Sequence, residues 1–193
     1  MSEARIDRLL AAALHQAIVD LLPERIEFYE SYLRPRGWRE DAVNLAPVTA
    51  VLSFLRHEDS GTYDAVMERA ASYASTWWMA RQPWHVRAGA RLLPMPLRLR
   101  QVGRLAKQHF ERSYRGTKVK IRVRRRQLEM EVRGSIFCSN REHTREPHCR
   151  YYLAFLEALL AHDAFPRSGS LPACRALGGD CCVLRVEVPE AQP

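Results

Sequence analysis

Residues 118–133, KVKIRVRRRQLEMEVR, decide the fold. Apolar residues alternate with charged ones on both sides of Arg124–Gln127, which is the period-two pattern of two half-buried strands. A turn at Arg124–Gln127 places Val123 opposite Leu128 on one face, and it places basic residues opposite acidic ones on the other. The stretch therefore predicts an antiparallel β-hairpin whose apolar face needs a covering layer.

Helical periodicity dominates the chain before the hairpin. Apolar residues recur there at three- and four-residue steps, which gives each helix one face that can be buried. Helices are predicted over Ile6–Leu21, Glu24–Leu33, Ala46–Leu55, Tyr63–Trp78 and Leu97–Tyr114.

One more helix and one more strand are expected after the hairpin. Pro147 suits the first turn of a helix that runs to about His162. Residues Cys182–Val188 alternate in polarity as a strand does. The order of helices, hairpin, helix and strand predicts an α+β fold in which N-terminal helices pack on a small antiparallel sheet.

Length and composition indicate a folded chain. Of the 193 residues, 47% are hydrophobic and 27% are charged, which differs from a disordered polymer. We expect a single domain over 1–193, with a mainly helical part at 1–116 and a hairpin–helix–strand part at 117–190 that carries the cysteines. No apolar run reaches the length of a membrane span, and no signal peptide is recognisable, so we expect a cytoplasmic protein with reduced thiols.

Positive charge is concentrated in one region. The net charge is +8, and residues 81–126 contain 15 Lys and Arg but one acidic residue, Glu111. Such a region is either a solvated basic face or a contact for an anionic partner, such as a membrane, an acidic protein or nucleic acid. Nucleic acid is the least favoured of these partners because no base-recognition motif is present.

The cysteines lie in the last third of the chain, where predicted elements begin or end. They are Cys138, Cys149, Cys174, Cys181 and Cys182. Cysteines at the ends of elements can converge on a metal ion, although no Cys-x-x-Cys pair is present here. The alternative is that they are ordinary core residues, because cysteine is often buried as a small apolar side chain. Strand alternation places Cys182 with the apolar side chains and leaves Cys181 outside. His143 and His148 are further candidate ligands.

Two segments resemble the 4-vinyl-reductase family of small-molecule-binding domains. Residues 149–160, CRYYLAFLEALL, resemble the family's segment in which a cysteine opens a helix. Residues 173–186, ACRALGGDCCVLRV, resemble its turn cysteine followed by a second cysteine at the start of the last strand. The end of the hairpin, Ser135–Cys138, also fits, so that the resemblance covers residues 119–188.

The resemblance implies a fold similar to the TRAPP-type vesicle-tethering subunits, a homodimer, and a chamber for a hydrophobic or aromatic compound. It also implies a structural zinc site, whose ligands here would be Cys138, Cys149, Cys174 and Cys182. In the aromatic-compound sensors of this family, a glutamate three residues before the turn cysteine can join the zinc ligands. Leu171 occupies that position here, so Cys138, His148 or a water would supply the fourth ligand.

The favoured function is a binding module for a small hydrophobic or aromatic molecule. Candidate aromatic walls of its pocket are Trp77, Trp78, Phe110 and Tyr114, although aromatic residues at helical spacing are also ordinary core residues. Four thiolate ligands would leave zinc no open position, so its role would be structural.

Two alternatives remain. The same family includes the protein assigned as the bacteriochlorophyll-pathway 4-vinyl reductase, so the chain could be a tetrapyrrole reductase or an accessory protein to one. Arg98–Arg126 would then meet the propionates, and His85 or His109 would face the macrocycle. No Gly-x-Gly-x-x-Gly turn for a nucleotide is present, which favours binding over catalysis. The other alternative is an interaction module that uses the basic region 81–126 on an anionic membrane or protein.

Overall fold

A computed structural model describes residues 5–33, 42–59, 61–89, 93–139, 146–162, 165 and 169–188. Seven α-helices lie in these residues: α1 (Arg8–Leu21), α2 (Ile26–Leu33), α3 (Leu45–Arg56), α4 (Thr62–Ala80), α5 (Trp84–Gly89), α6 (Met95–Ser113) and α7 (Arg150–His162). The strands are β1 (Arg5–Asp7), β2 (Ala42–Asn44), β3 (Lys118–Arg124), β4 (Gln127–Arg133), β5 (Gly169–Ala173) and β6 (Cys182–Glu187). An antiparallel sheet has the order β3-β4-β6-β5, and β1 pairs with β2. The fold is α+β, as predicted.

The β3–β4 hairpin has the predicted register. Val123 lies opposite Leu128, and Arg122 lies opposite Glu129. On the outer face of the sheet, the Glu129 carboxylate binds Arg122 at 3.7 Å and Arg185 of β6 at 3.0 Å. The apolar face is covered over β4 and β6, whose side chains that point to it are buried, whereas Ile121 and Val123 of β3 are half-buried. Alternation in the sequence was therefore sufficient to assign both faces.

Helix α6 packs closely on the hairpin. Gly103 lies against Ile121, and a Cβ added at Gly103 would lie 3.0 Å from the Ile121 side chain. The Lys107 ammonium donates to the Val119 carbonyl oxygen at 2.8 Å, and the Val119 N–H donates to the Glu111 carboxylate at 2.9 Å. These contacts hold α6 along strand β3.

Helix α4 contacts both α1 and α7. Its buried face is built from small residues, including Ala70, Ala71 and Ala74, which allow neighbouring helices to approach. The Arg150 guanidinium of α7 donates to the Glu68 carboxylate of α4 at 2.6 Å. The helices therefore cover the sheet as predicted.

Three short strands were not predicted. Strands β1 and β2 pair over three residues each, a length at which alternation gives no signal. Strand β5 contains Gly169 and Pro172, which are turn signals, and its pairing with β6 is irregular between Ser170 and Ala173. Proline is tolerated there because β5 lies at the sheet edge. None of the described helices is long and apolar enough to cross a membrane.

Candidate metal centre and buried aromatic cluster

Four cysteines from separate elements meet in the C-terminal half. Cys138 ends the 3-10 helix Ile136–Cys138, and Cys149 directly precedes α7. Cys174 follows β5, and Cys182 begins β6. All four are buried. They converge because each stands where the chain changes direction.

The four sulfur atoms are in mutual contact. Cys138 Sγ lies 3.1 Å from Cys149 Sγ and 3.6 Å from the Sγ atoms of Cys174 and Cys182, and Cys149 Sγ lies 3.3 Å from Cys174 Sγ. All four atoms lie within 4.8 Å of one another. A disulfide would be about 2.05 Å, whereas a tetrahedron with Zn–S bonds of about 2.3 Å has S–S edges of about 3.8 Å. The donor set and its spacing fit a metal ion.

The thiols alter one another's protonation. The thiol of Cys138, followed by those of Cys149 and Cys182, donates to the Cys174 sulfur and holds the pKa of Cys174 well below its ordinary value. The Ala176 backbone N–H acts in the same direction. The pKa of Cys149 is raised because its thiol serves as a donor to Cys138 and Cys174. The hydrogen bonds therefore favour the thiolate at Cys174 and the thiol at Cys149, and thiolate is the form that binds metal ions.

Helices α3 and α4 hold two of the cysteine-bearing segments. The Arg56 guanidinium donates to the Phe137 carbonyl oxygen at 2.7 Å. The Tyr63 hydroxyl donates to the His148 carbonyl oxygen at 2.9 Å, and Arg56 lies over the Tyr63 ring at 5.6 Å from its centroid. Phe137 and His148 directly precede the first two cysteines of the cluster, so these bonds fix the positions of both thiols.

The structure brings together the four cysteines that sequence reasoning selected. Cys181 is partly exposed and lies outside the cluster, and partial burial, followed by the charge of Glu131, raises its pKa. His148 is buried, but among the described residues the group of close ligand atoms consists of the four cysteines. Leu171 lies half-buried in β5, and His143 lies outside the described residues.

Sequence comparisons give no relative for this chain. No protein-family model matches it, and no curated protein matches it significantly.

A second polar arrangement lies in the core, around His109 of α6. The His109 ring stacks on Phe155 of α7, with centroids 4.1 Å apart and an interplanar angle of 10°. Its Nε2 lies 2.8 Å from the Tyr151 hydroxyl, and the Trp78 ring centroid is 5.3 Å away. Burial lowers the pKa of His109 to about 3, so the imidazole is neutral at physiological pH.

Two ring nitrogens of this cluster have no hydrogen-bond partner among the described residues, namely His109 Nδ1 and Trp78 Nε1. Burial raises the pKa of Tyr151 well above its ordinary value, so its hydroxyl keeps the proton in its hydrogen bond with His109 Nε2, whose direction depends on the tautomer of His109. Trp78 Nε1 is an N–H donor in either case. Leaving such a donor buried without an acceptor costs about 1–3 kcal/mol. An acceptor oxygen on a bound molecule would offset that cost.

The aromatic candidates occupy different places. Trp78 and Phe110 both lie beside His109, the Phe110 centroid at 5.9 Å. Trp77 is half-buried and stacks on Tyr73, whereas Tyr114 is half-buried after α6, where its backbone bridges to β1. The structure therefore brings two of the four candidates together, and their role as ligand contacts stays a prediction.

Sequence reasoning missed the partners of His109, which are Tyr151, Phe155 and Ser113. The Ser113 hydroxyl donates to the His109 carbonyl oxygen at 2.7 Å, one turn along α6. The available signal was that His109 falls on the buried stripe of α6, three residues after Ala106. A histidine on such a stripe requires a polar partner from a neighbouring helix.

The residues considered for a tetrapyrrole do not surround one site. His85 is exposed on α5, with its ring edge-on to Trp84 at 6.1 Å. His109 is fully buried. The Arg98 guanidinium lies over the Phe165 ring at 4.2 Å from its centroid.

Two depressions of the surface are lined by residues that the structure describes. One of about 370 Å³ lies over α3 beside the Cys138 segment, and one of about 180 Å³ lies on the outer face of the sheet. The first is lined by Ala46, Thr49, Ala50, Leu52, Ser53, Arg56, Ile136 and Ser139, and the second by Arg122, Arg124, Gln127, Glu129 and Arg185. The aromatic candidates line neither depression.

Proposed function

We propose that the chain is a small-molecule-binding domain of the 4-vinyl-reductase type, in which a structural zinc ion holds the cysteine-bearing half in place. The observation that carries this proposal is the convergence of four buried thiols from four separate elements. A cluster of four sulfur donors suits zinc or iron, and zinc needs no redox partner. Four thiolates fill a tetrahedral coordination shell, so the metal would support the fold and would not contact the substrate.

The ligand of the domain would bind between α4, α6 and α7. This position is supported by two buried ring nitrogens without a partner among the described residues, His109 Nδ1 and Trp78 Nε1, which lie in largely apolar surroundings. The N–H of Trp78 selects a hydrophobic or aromatic compound that carries an acceptor oxygen. The rings of Trp78 and Phe110 would have to move to admit it.

The metal and the ligand position are connected through α7. Cys149 directly precedes this helix, and Tyr151 and Phe155, which contact His109, lie in its first two turns. A metal bound to Cys149 would therefore fix the end of the helix that supports the His109 ring. The zinc would keep this side of the ligand position in a single arrangement.

The first test measures the metal and any compound that co-purifies. Elemental analysis of the gently purified protein should give about one zinc per chain, in line with a four-thiolate site. Solvent extraction followed by mass spectrometry should release a hydrophobic compound. A protein that contains neither metal nor compound would contradict the proposal. A coloured extract with a Soret-type absorption band would identify the ligand as a tetrapyrrole.

The second test places the compound with matched variants. Trp78→Phe keeps an aromatic ring but removes the buried N–H donor, and it should lower the amount of bound compound up to about tenfold, the value of one hydrogen bond. Trp77→Phe is the control, because Trp77 lies next to Trp78 in the chain but packs on Tyr73. Equal loss in both variants would argue against the position at His109.

A further inference from the structure

The surface formed by α5 and the first half of α6 exposes large apolar side chains. Trp84 is 74% exposed, more than any other large hydrophobic residue that the structure describes, and Leu93 and Leu97 are 38% and 44% exposed. The Gln101 side-chain amide donates to the Val86 carbonyl oxygen at 3.0 Å. This bond joins the backbone of α5, two residues after Trp84, to the second turn of α6. Helix α6 begins two residues after Leu93 and contains Leu97. The three apolar side chains therefore lie on chain segments that this bond connects.

The same segments carry exposed positive charge. Arg81, Arg100 and Arg104 are exposed, and none of the three has an ion-pair partner in the described part of the chain. The sequence contains no Asp or Glu from Arg69 to Phe110, so no acidic residue close to them in sequence offsets their charge. Their field extends into the solvent.

The apolar and basic residues share one face of α6. Leu97, Arg100 and Arg104 recur at steps of three and four residues, which places them on one side of the helix. Leu99, Val102 and Ala106 alternate with them and are buried against the core. An amphipathic arrangement with leucine and tryptophan next to arginine is typical of elements that lie in the membrane interface.

We propose that this docking surface, formed by Trp84, Leu93, Leu97, Arg100 and Arg104, binds the protein to an anionic phospholipid membrane. The Trp84 indole would lie at the level of the headgroups, and the two leucines would reach the boundary of the acyl chains. The two guanidinium groups would bind lipid phosphates through paired N–H donors. This proposal does not depend on the metal or on the small molecule.

A membrane explains the surface better than nucleic acid does. Contacts to a phosphate backbone use Lys and Arg, and they leave aliphatic side chains in water. The docking surface combines its cations with exposed Leu93 and Leu97, which gain free energy only when an apolar phase covers them. Lipid satisfies both kinds of side chain at once.

Vesicle co-sedimentation tests the proposal. The full chain should bind vesicles of equal parts phosphatidylglycerol and phosphatidylcholine, and it should bind pure phosphatidylcholine at least about tenfold more weakly, since each cation near an anionic surface contributes about 1 kcal/mol. Brominated phospholipids should quench the fluorescence of the wild-type protein and not that of Trp84→Phe. Binding to duplex DNA as tight as to the anionic vesicles, or no binding to the vesicles, would overturn the proposal.

Matched variants locate the contact. Trp84→Ala should weaken vesicle binding about tenfold, and Arg100→Glu/Arg104→Glu should weaken it at least as much. Arg115→Glu/Lys118→Glu changes the net charge by the same amount beyond the C-terminal end of α6, which lies about 14 Å from Arg104 and about 20 Å from Arg100 by helix rise, and it should have a small effect. Equal loss in the two double variants would show that net charge alone drives binding and would overturn the docking surface.

Discussion

Replacing Cys182 by serine separates a metal-binding thiol from an ordinary core cysteine. The side chain of Cys182 is fully buried, and its sulfur lies 3.6 Å from that of Cys138. Burying a serine hydroxyl there without a partner costs about 1–3 kcal/mol. Loss of one of four zinc ligands should cost about 2.5–4 kcal/mol more, a quarter of the roughly 10–16 kcal/mol with which small zinc domains bind their metal. The sum is about 3.5–7 kcal/mol, or a fall in Tm of about 7–28 °C for a chain of this length.

The assay is thermal unfolding with and without a chelator strong enough to remove zinc. We expect chelation to lower the Tm of the wild-type protein by more than that of Cys182→Ser, which has already lost one zinc ligand, and to leave the two metal-free proteins within about 1–3 kcal/mol of each other. Cys181→Ser is the matched control, since Cys181 lies outside the cluster, and it should change stability by less than about 0.5 kcal/mol. Our interpretation would be refuted by a wild-type protein whose Tm ignores chelation while Cys182→Ser costs the same under both conditions.

Two further predictions concern the groups around the two clusters. The pKa of His109 is about 3 in the folded protein and near 6.5 when unfolded, so the unfolded chain binds more protons between these values and stability falls as the pH drops below about 6.5. The slope of the unfolding free energy against pH should therefore be smaller in His109→Gln, by up to about 1.4 kcal/mol per pH unit in denaturant titrations. The control is His57→Gln at an exposed position, which should leave this slope unchanged. Tyr63→Phe removes the hydrogen bond to the His148 carbonyl oxygen. This variant should lose about 1–2 kcal/mol of stability and should release zinc more readily in a chelator competition. The control Tyr32→Phe should show neither effect.

The hairpin and the long helices could be predicted because each repeats its period over many residues. In β3 and β4 the charges also pair across the strands, so a single register satisfies both faces of the sheet. Strands β1 and β2 could not be predicted, since three residues contain no period. Strand β5 was hidden by Gly169 and Pro172, whose turn preference is overridden by pairing with β6.

The two buried clusters differ in how far the sequence could define them. The membership of the cysteine cluster was predicted from the family resemblance, whereas spacing alone made a metal site only possible and alternation added the separation of Cys181 from Cys182. The network of His109 was not predicted, since Tyr151 comes from another helix and helical periodicity does not specify which residues of two helices face each other. Its unpartnered ring nitrogens became visible only when the packing of α4, α6 and α7 was known.

The contacts that α6 makes with Val119 limit how copies of this chain can assemble. The outward N–H and C=O of Val119 are occupied by Glu111 and Lys107, so a neighbouring strand cannot pair there. At the opposite edge of the sheet, Pro172 of β5 has no N–H to offer. Sheet extension, the common route to strand-mediated aggregation, is therefore hindered on both sides. A dimer of this protein would therefore not extend the sheet at either of these two positions.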